Sequence, residues 1–142
     1  MNEMTSTINL LLAFVLGGGI GFFREKERKT AGMRTHILVC LGSALFMVLS
    51  AKMMLLAGGA DPGRIAAGVA TGIGFIGAGC IVQTGSGVRG ITTAASIWVT
   101  AAIGIAAGAS FYVEAVVTTV LVIAALQTIR SFETRYFKTK EE

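Results

Sequence analysis

Thr71-Gly72-Ile73-Gly74-Phe75-Ile76-Gly77-Ala78-Gly79 lies at the centre of a run of 24 residues, Ile65 to Val88, that carries no charge. As a helix, about 20 mostly apolar residues cover the roughly 30 Å hydrocarbon layer of a bilayer. The run lacks the period-two alternation of a barrel strand. It therefore reads as a transmembrane helix, and similar windows recur on both sides. Thr5 to Phe23 is 19 uncharged residues, and Ile37 to Ala60 is 24 interrupted only by Lys52. Gly90 to Val113 is another 24, and Tyr112 to Ile129 is 18 with one acid, Glu114. The pattern predicts an all-α, polytopic membrane bundle with helices at 5–23, 37–57, 65–83, 92–109 and 112–130. It is one transmembrane domain over 1–142, ending in a short basic tail at 131–142.

Composition agrees. The chain is 54% hydrophobic and only 14% charged, with mean hydropathy +0.74, whereas soluble domains carry roughly 25% charged residues. A globule of 142 residues has too little interior to hide that much apolar surface from water. The 19 glycines follow no three-residue period, which excludes collagen, and the apolar excess excludes disorder.

Basic residues set the orientation. Arg24, Lys26, Arg28, Lys29 and Arg34 follow the first helix, Arg89 lies between the third and fourth, and Arg130, Arg135, Lys138 and Lys140 follow the fifth. With five spans these ten of the twelve basic residues share one side. That side is the cytoplasm, so the N-terminus is expected outside and the C-terminus inside. Met1-Asn2-Glu3-Met4 is acidic and precedes the positive charges, unlike a cleavable signal peptide. A net charge of +4 placed beside membrane helices attracts anionic headgroups and gives no case for nucleic acid.

In lipid, helices associate through close backbone approach and interhelical hydrogen bonds. Gly17 with Gly21, Gly68 with Gly72, and Gly104 with Gly108 are small residues four apart. Gly74 and Gly77 add small faces to the third helix, which is expected at the centre of the bundle. Trp98, two turns into the fourth helix, is read as a packing residue whose indole needs a partner. Ser96 and Thr100 offer hydroxyls to neighbouring helices. Cys40 and Cys80 fall in apolar spans without a paired motif and read as reduced thiols.

Candidate chemistry concentrates at the cytoplasmic helix starts. Thr35 is a candidate cap for the second helix, and Thr92 or Thr93 for the fourth. Arg34 and Arg89 stand beside those starts, whose free N–H groups favour anions. The alternative is that both arginines pair with Glu25 or Glu27, or simply anchor the helices. His36 reads as a polar boundary residue rather than a metal ligand. On the opposite side, Lys52, Asp61, Arg64 and Glu114 form a rim. No nucleophile set, phosphate loop, metal spacing or acid–base pair is present. No enzyme activity or cofactor is therefore expected, and the sequence leaves open whether a metal binds.

Three stretches carry a family resemblance: Ala31-Gly32-Met33-Arg34-Thr35-His36, Gly72-Ile73-Gly74-Phe75-Ile76-Gly77-Ala78-Gly79, and Val88-Arg89-Gly90-Ile91-Thr92-Thr93-Ala94-Ala95-Ser96-Ile97-Trp98. In this order they resemble the N-terminal membrane domain of the MgtC/SapB family. The resemblance runs from about Gly17 to Gly108 and fades towards the end of the fifth helix. Phe23 precedes Arg24-Glu25 where the family usually has an acid, and Gly68 stands where glutamine is common. Virulence-associated members commonly have asparagine at the position of Thr92, and some at that of His36. The chain thus resembles the SapB-like branch, without the soluble C-terminal domain of longer members. The resemblance implies a bacterial inner-membrane protein tied to growth at low magnesium, survival in host cells and control of other membrane machines.

Two functions follow. One is a regulatory or accessory factor that works by helix–helix contact with itself, as a homo-oligomer, or with another membrane protein. The other is a transporter or channel, with magnesium as the candidate ion and Thr71, Thr92, Thr93 and Ser96 along its path.

Overall fold

The computed structural model describes residues 2–57, 61–85 and 87–129. Among them are α1 (Glu3–Lys26), α2 (Met33–Ala57), α3 (Pro62–Ala78), β1 (Val82–Thr84), β2 (Gly87–Arg89), α4 (Ile91–Gly108) and α5 (Tyr112–Ala124). A π-helical turn, Ala125–Ile129, extends α5. Asn2 caps α1 by accepting from the Thr5 N–H, and Asp61 caps α3 by accepting from the Gly63 N–H, with Pro62 at the first helical position.

Among the described residues three helices are long and apolar enough to cross a membrane: Glu3–Lys26, Met33–Leu56 and Ile91–Gly108. The third helix is shorter than the sequence predicts. It ends at Ala78, and residues counted into its span form an antiparallel hairpin that pairs Val82 with Arg89 and Thr84 with Gly87. The fold class is therefore helical with one small hairpin. Seventeen residues rise about 25 Å, less than the hydrocarbon layer. The fifth predicted helix is likewise shorter as an α-helix, ending at Ala124, and Arg130 lies outside the described residues.

Contacts between elements fix two ends. Lys52 of α2 meets Glu3 of α1, whereas Arg24 of α1 meets Thr93 of α4. Helices α1, α3 and α5 run against α2 and α4. The last turns of α1 and α3 thus share the Arg24 end, while those of α2 and α4 share the Lys52 end.

The centre of the bundle is α4, which touches α1, α2, α3 and α5. This corrects the sequence expectation for α3, which rests on one side of α4 and α2. A Cβ at Gly68, Gly72 or Gly74 would meet nothing within 4 Å, whereas at Gly77 it would touch Ala94 at 3.6 Å. The α1–α2–α4 contacts are far tighter. A Cβ at Gly17 would lie 2.6 Å from the His36 carbonyl oxygen, and at Gly21 2.5 Å from the Met33 Cα. At Gly104 it would collide with the Cys40 carbonyl oxygen, and at Gly108 it would lie 2.5 Å from that of Ala44.

Around a few buried isoleucines, Ile20, Ile97 and Ile103, the interior is rich in small and polar residues. Buried side chains include Ser6, Asn9, Ser43, Ser50, Ser96, Thr100 and Thr119, beside Ala13, Ala44, Ala101 and Ala107. Large side chains point outward: Leu38 is 68% exposed and Phe75 85%. Trp98, read from sequence as a packing residue, is 54% exposed on this outer surface. That distribution would be costly in water. It fits a bilayer, where lipid tails solvate leucine as well as a protein interior does. The protein is a membrane protein.

Candidate functional site

At the Arg24 end the last turn of α1, the first turns of α2 and α4 and the loop before α2 converge. Glu25 turns its carboxylate onto the start of α2, where Oε2 accepts from the Met33 N–H at 2.8 Å. A helix start offers unpaired N–H groups and positive potential, so Glu25 is the anion it receives. Thr35 is consequently not the cap, since α2 begins two residues earlier at Met33. Thr92 and Thr93 do not cap α4 either. Its N-cap is Gly90, with φ of 93° and no side-chain cap hydrogen bond. A Cβ at Gly90 would collide with the Cys80 carbonyl oxygen, so the close approach and the left-handed backbone both call for glycine here.

Arg24 is 2% exposed. Its Nη2 donates to the Thr93 hydroxyl oxygen, and its Nε has no hydrogen-bond partner among the described residues. Thr93 joins Arg24 to a second buried base. The Ser96 hydroxyl donates to the Thr93 carbonyl at 2.8 Å, and its oxygen lies 3.2 Å from His36 Nε2. His36 Nδ1 faces the Gly32 carbonyl at 2.8 Å, which can only accept, so Nδ1 carries a proton. The Nε2–Ser96 contact is then a hydrogen bond in one of two ways. Either His36 holds a second proton, or the Ser96 hydroxyl turns from the Thr93 carbonyl to Nε2. Arg24, Thr93, Ser96 and His36 therefore form a buried layer across α1, α4 and α2.

The remaining predicted residues stay apart from that layer. Arg34, Arg89 and Thr92 are exposed and Thr35 is half-buried. Neither Arg34 nor Arg89 makes an ion pair among the described residues. Glu25, with Glu27 the alternative partner for them, serves the α2 start instead. Among the described residues no group of three His, Cys, Asp or Glu side chains is placed to hold a metal ion. Cys40 is a buried free thiol, and Cys80 a half-buried one.

The sequence reading missed a second polar cluster at the Lys52 end. Asn9, fully buried in α1, donates to the Gly108 carbonyl at 3.0 Å and the Ser110 hydroxyl at 3.1 Å. Its carbonyl accepts from the Tyr112 hydroxyl at 2.8 Å. Its signal was present, since Asn9 is the one carboxamide in the first apolar run.

The MgtC family model matches residues 10–135, which include all four residues of the Arg24 layer. The chain belongs to the MgtC family. Similar relatives include "Protein MgtC" of Brucella abortus (strain 2308), 46% identical over 83% of this chain and 48% of that protein. "Putative magnesium transporter YhiD" of Escherichia coli (strain K12) is 44% identical over 90% of this chain and 62% of its own length. "Protein MgtC" of Salmonella typhimurium (strain LT2) is 41% identical, over 83% and 49%. This MgtC-family chain thus spans about half to three-fifths of the length of these relatives. No solved structure matches it.

Proposed function

We propose that this protein crosses a bacterial inner membrane five times, N-terminus outside and C-terminus in the cytoplasm. It acts there, without catalysis, as a regulatory or accessory factor in adaptation to low magnesium or ionic stress. It works through helix–helix contacts with itself or with membrane partners. The alternating helix directions and the basic loops gathered at the Arg24 end support the topology. The name of the Escherichia coli relative connects the reading to magnesium.

One observation carries the choice of a contact-based role. The charged side chain buried in the α1–α2–α4 layer is a cation, Arg24. Magnesium is held through carboxylates and retained waters, and a guanidinium on the path repels a divalent cation. Close contacts at Gly21 and Gly104 support tight packing of these helices around that layer. The partner-facing surface is the outer side of α3, where Gly74 is open and Phe75 exposed.

The second reading, a magnesium transporter, is supported by the name of the Escherichia coli relative. The proposed path residues weigh against it. Thr71 and Thr92 are exposed, while Thr93 and Ser96 are buried in hydrogen bonds to neighbouring helices. Purified protein in magnesium-loaded vesicles is expected to give no flux above empty vesicles across membrane potential and pH. Gentle solubilisation of native membranes is expected to recover an oligomer or a membrane partner. Flux that rises in Arg24→Glu would establish the transporter reading and end the regulatory one.

A further inference from the structure

A groove of about 610 Å³ separates α2 from α3. Leu38, Phe46 and Ile76 wall it, Gly68 and Gly72 form part of its lining, and a single charged residue, Arg64, borders it. The two glycines keep it open, because a Cβ at either would meet nothing within 4 Å. From Arg64 to Ile76 α3 rises about 18 Å. The hydrocarbon of one leaflet is about 15 Å deep, half of the roughly 30 Å layer. The groove thus has the length and the apolar lining for one acyl chain, entered from the Lys52 end.

Charge is distributed to match. Lys52 is committed to Glu3, with Nζ to Oε1 at 2.8 Å. The Asp61 carboxylate receives the Gly63 N–H at 2.8 Å. The Arg64 side chain has neither an ion-pair nor a hydrogen-bond partner among the described residues. An arginine presents a fork of donors that fits a phosphate in bidentate fashion. We propose that this groove is a binding site for an anionic phospholipid, with one acyl chain between α2 and α3 and the phosphate on Arg64.

The groove and the charge are separately removable. Gly72→Leu fills the groove from a position with free space around it, and leucine favours a helix over glycine. Arg64→Gln removes the phosphate partner from an exposed site. Native mass spectrometry of the full chain, loaded from micelles containing phosphatidylglycerol or phosphatidylcholine, reads the retained lipid directly. The wild type and a Lys26→Gln control are expected to retain one phosphatidylglycerol per chain in preference to phosphatidylcholine. Both groove variants should lose retention about tenfold, Arg64→Gln through one lost charge-assisted hydrogen bond and Gly72→Leu through exclusion of the acyl chain, while keeping wild-type helicity. Equal retention of the two lipids by the wild type would overturn the proposal. So would undiminished phosphatidylglycerol in either variant. A change of oligomeric state in Gly72→Leu at unchanged lipid retention would also overturn it, and would make the groove an interface between copies of this chain.

Discussion

At the Lys52 end Asn9 uses both halves of its carboxamide, giving hydrogens to Gly108 and Ser110 and receiving one from Tyr112. At the Arg24 end an equally buried guanidinium has a neutral hydroxyl as its hydrogen-bond partner, Glu27 as an acidic neighbour, and a nitrogen with no hydrogen bond among the described residues. Both clusters tie α1 to α4, and both sit beside glycines that admit no side chain. A satisfied buried amide holds helices together at little cost. An incompletely paired buried cation costs free energy, because it has left water without full compensation. The first arrangement is what a structural lock requires. The second is a liability to stability and marks the end where function is expected to reside.

Substitutions can break or sharpen that contrast. The largest effect should be common to both ends. Gly108→Leu and Gly21→Leu force a side chain into the backbone of α2 or the loop before it. Each should cost about 3–4 kcal/mol, seen as loss of folded protein in denaturant titrations of the solubilised chain. If either is tolerated, the close contact at that end is wrong.

Next comes the polar contrast itself. Asn9→Leu strands the Tyr112 hydroxyl and the Gly108 carbonyl and should destabilise by about 1–2 kcal/mol. Arg24→Met removes a charge and leaves one hydroxyl with a lost donor. Its unfolding midpoint should stay level or rise, by up to about 2 kcal/mol. Opposite signs at the two ends sharpen the comparison. A fall in both would make Arg24 another lock. Smallest of all, Lys52→Ala should leave the midpoint unmoved within error, since the pair is exposed and exposed pairs contribute little.

Much of this architecture was legible in the sequence, and the reasons it failed elsewhere are physical. Uncharged windows located the long helices because lipid imposes a minimum apolar length. Hydropathy did not distinguish Val82-Gln83-Thr84 from the end of α3, since the segment is uncharged. The signals for the hairpin were the glycines at 85, 87 and 90, and the β-branched Val82, Thr84 and Val88 around them. Trp98 was misassigned by carrying over a rule from soluble proteins, whereas Gly68, Gly72 and Gly74 follow the small-residue rule for lipid but open to the outside of this chain. In a bilayer, large apolar residues gain nothing by facing inward, so the interior is marked by small and polar residues instead. By that criterion Asn9, Arg24, His36 and Ser96 stand out in sequence. Their pairing does not, because it joins residues 60 to 103 positions apart in the chain.

The central claim is that Arg24 serves function and not folding. It is tested most directly by growth at limiting magnesium of a strain whose sole copy of this protein carries Arg24→Met, at membrane abundance matched to wild type. The account predicts that the variant accumulates normally and fails to support growth. Wild-type growth at equal abundance would contradict it.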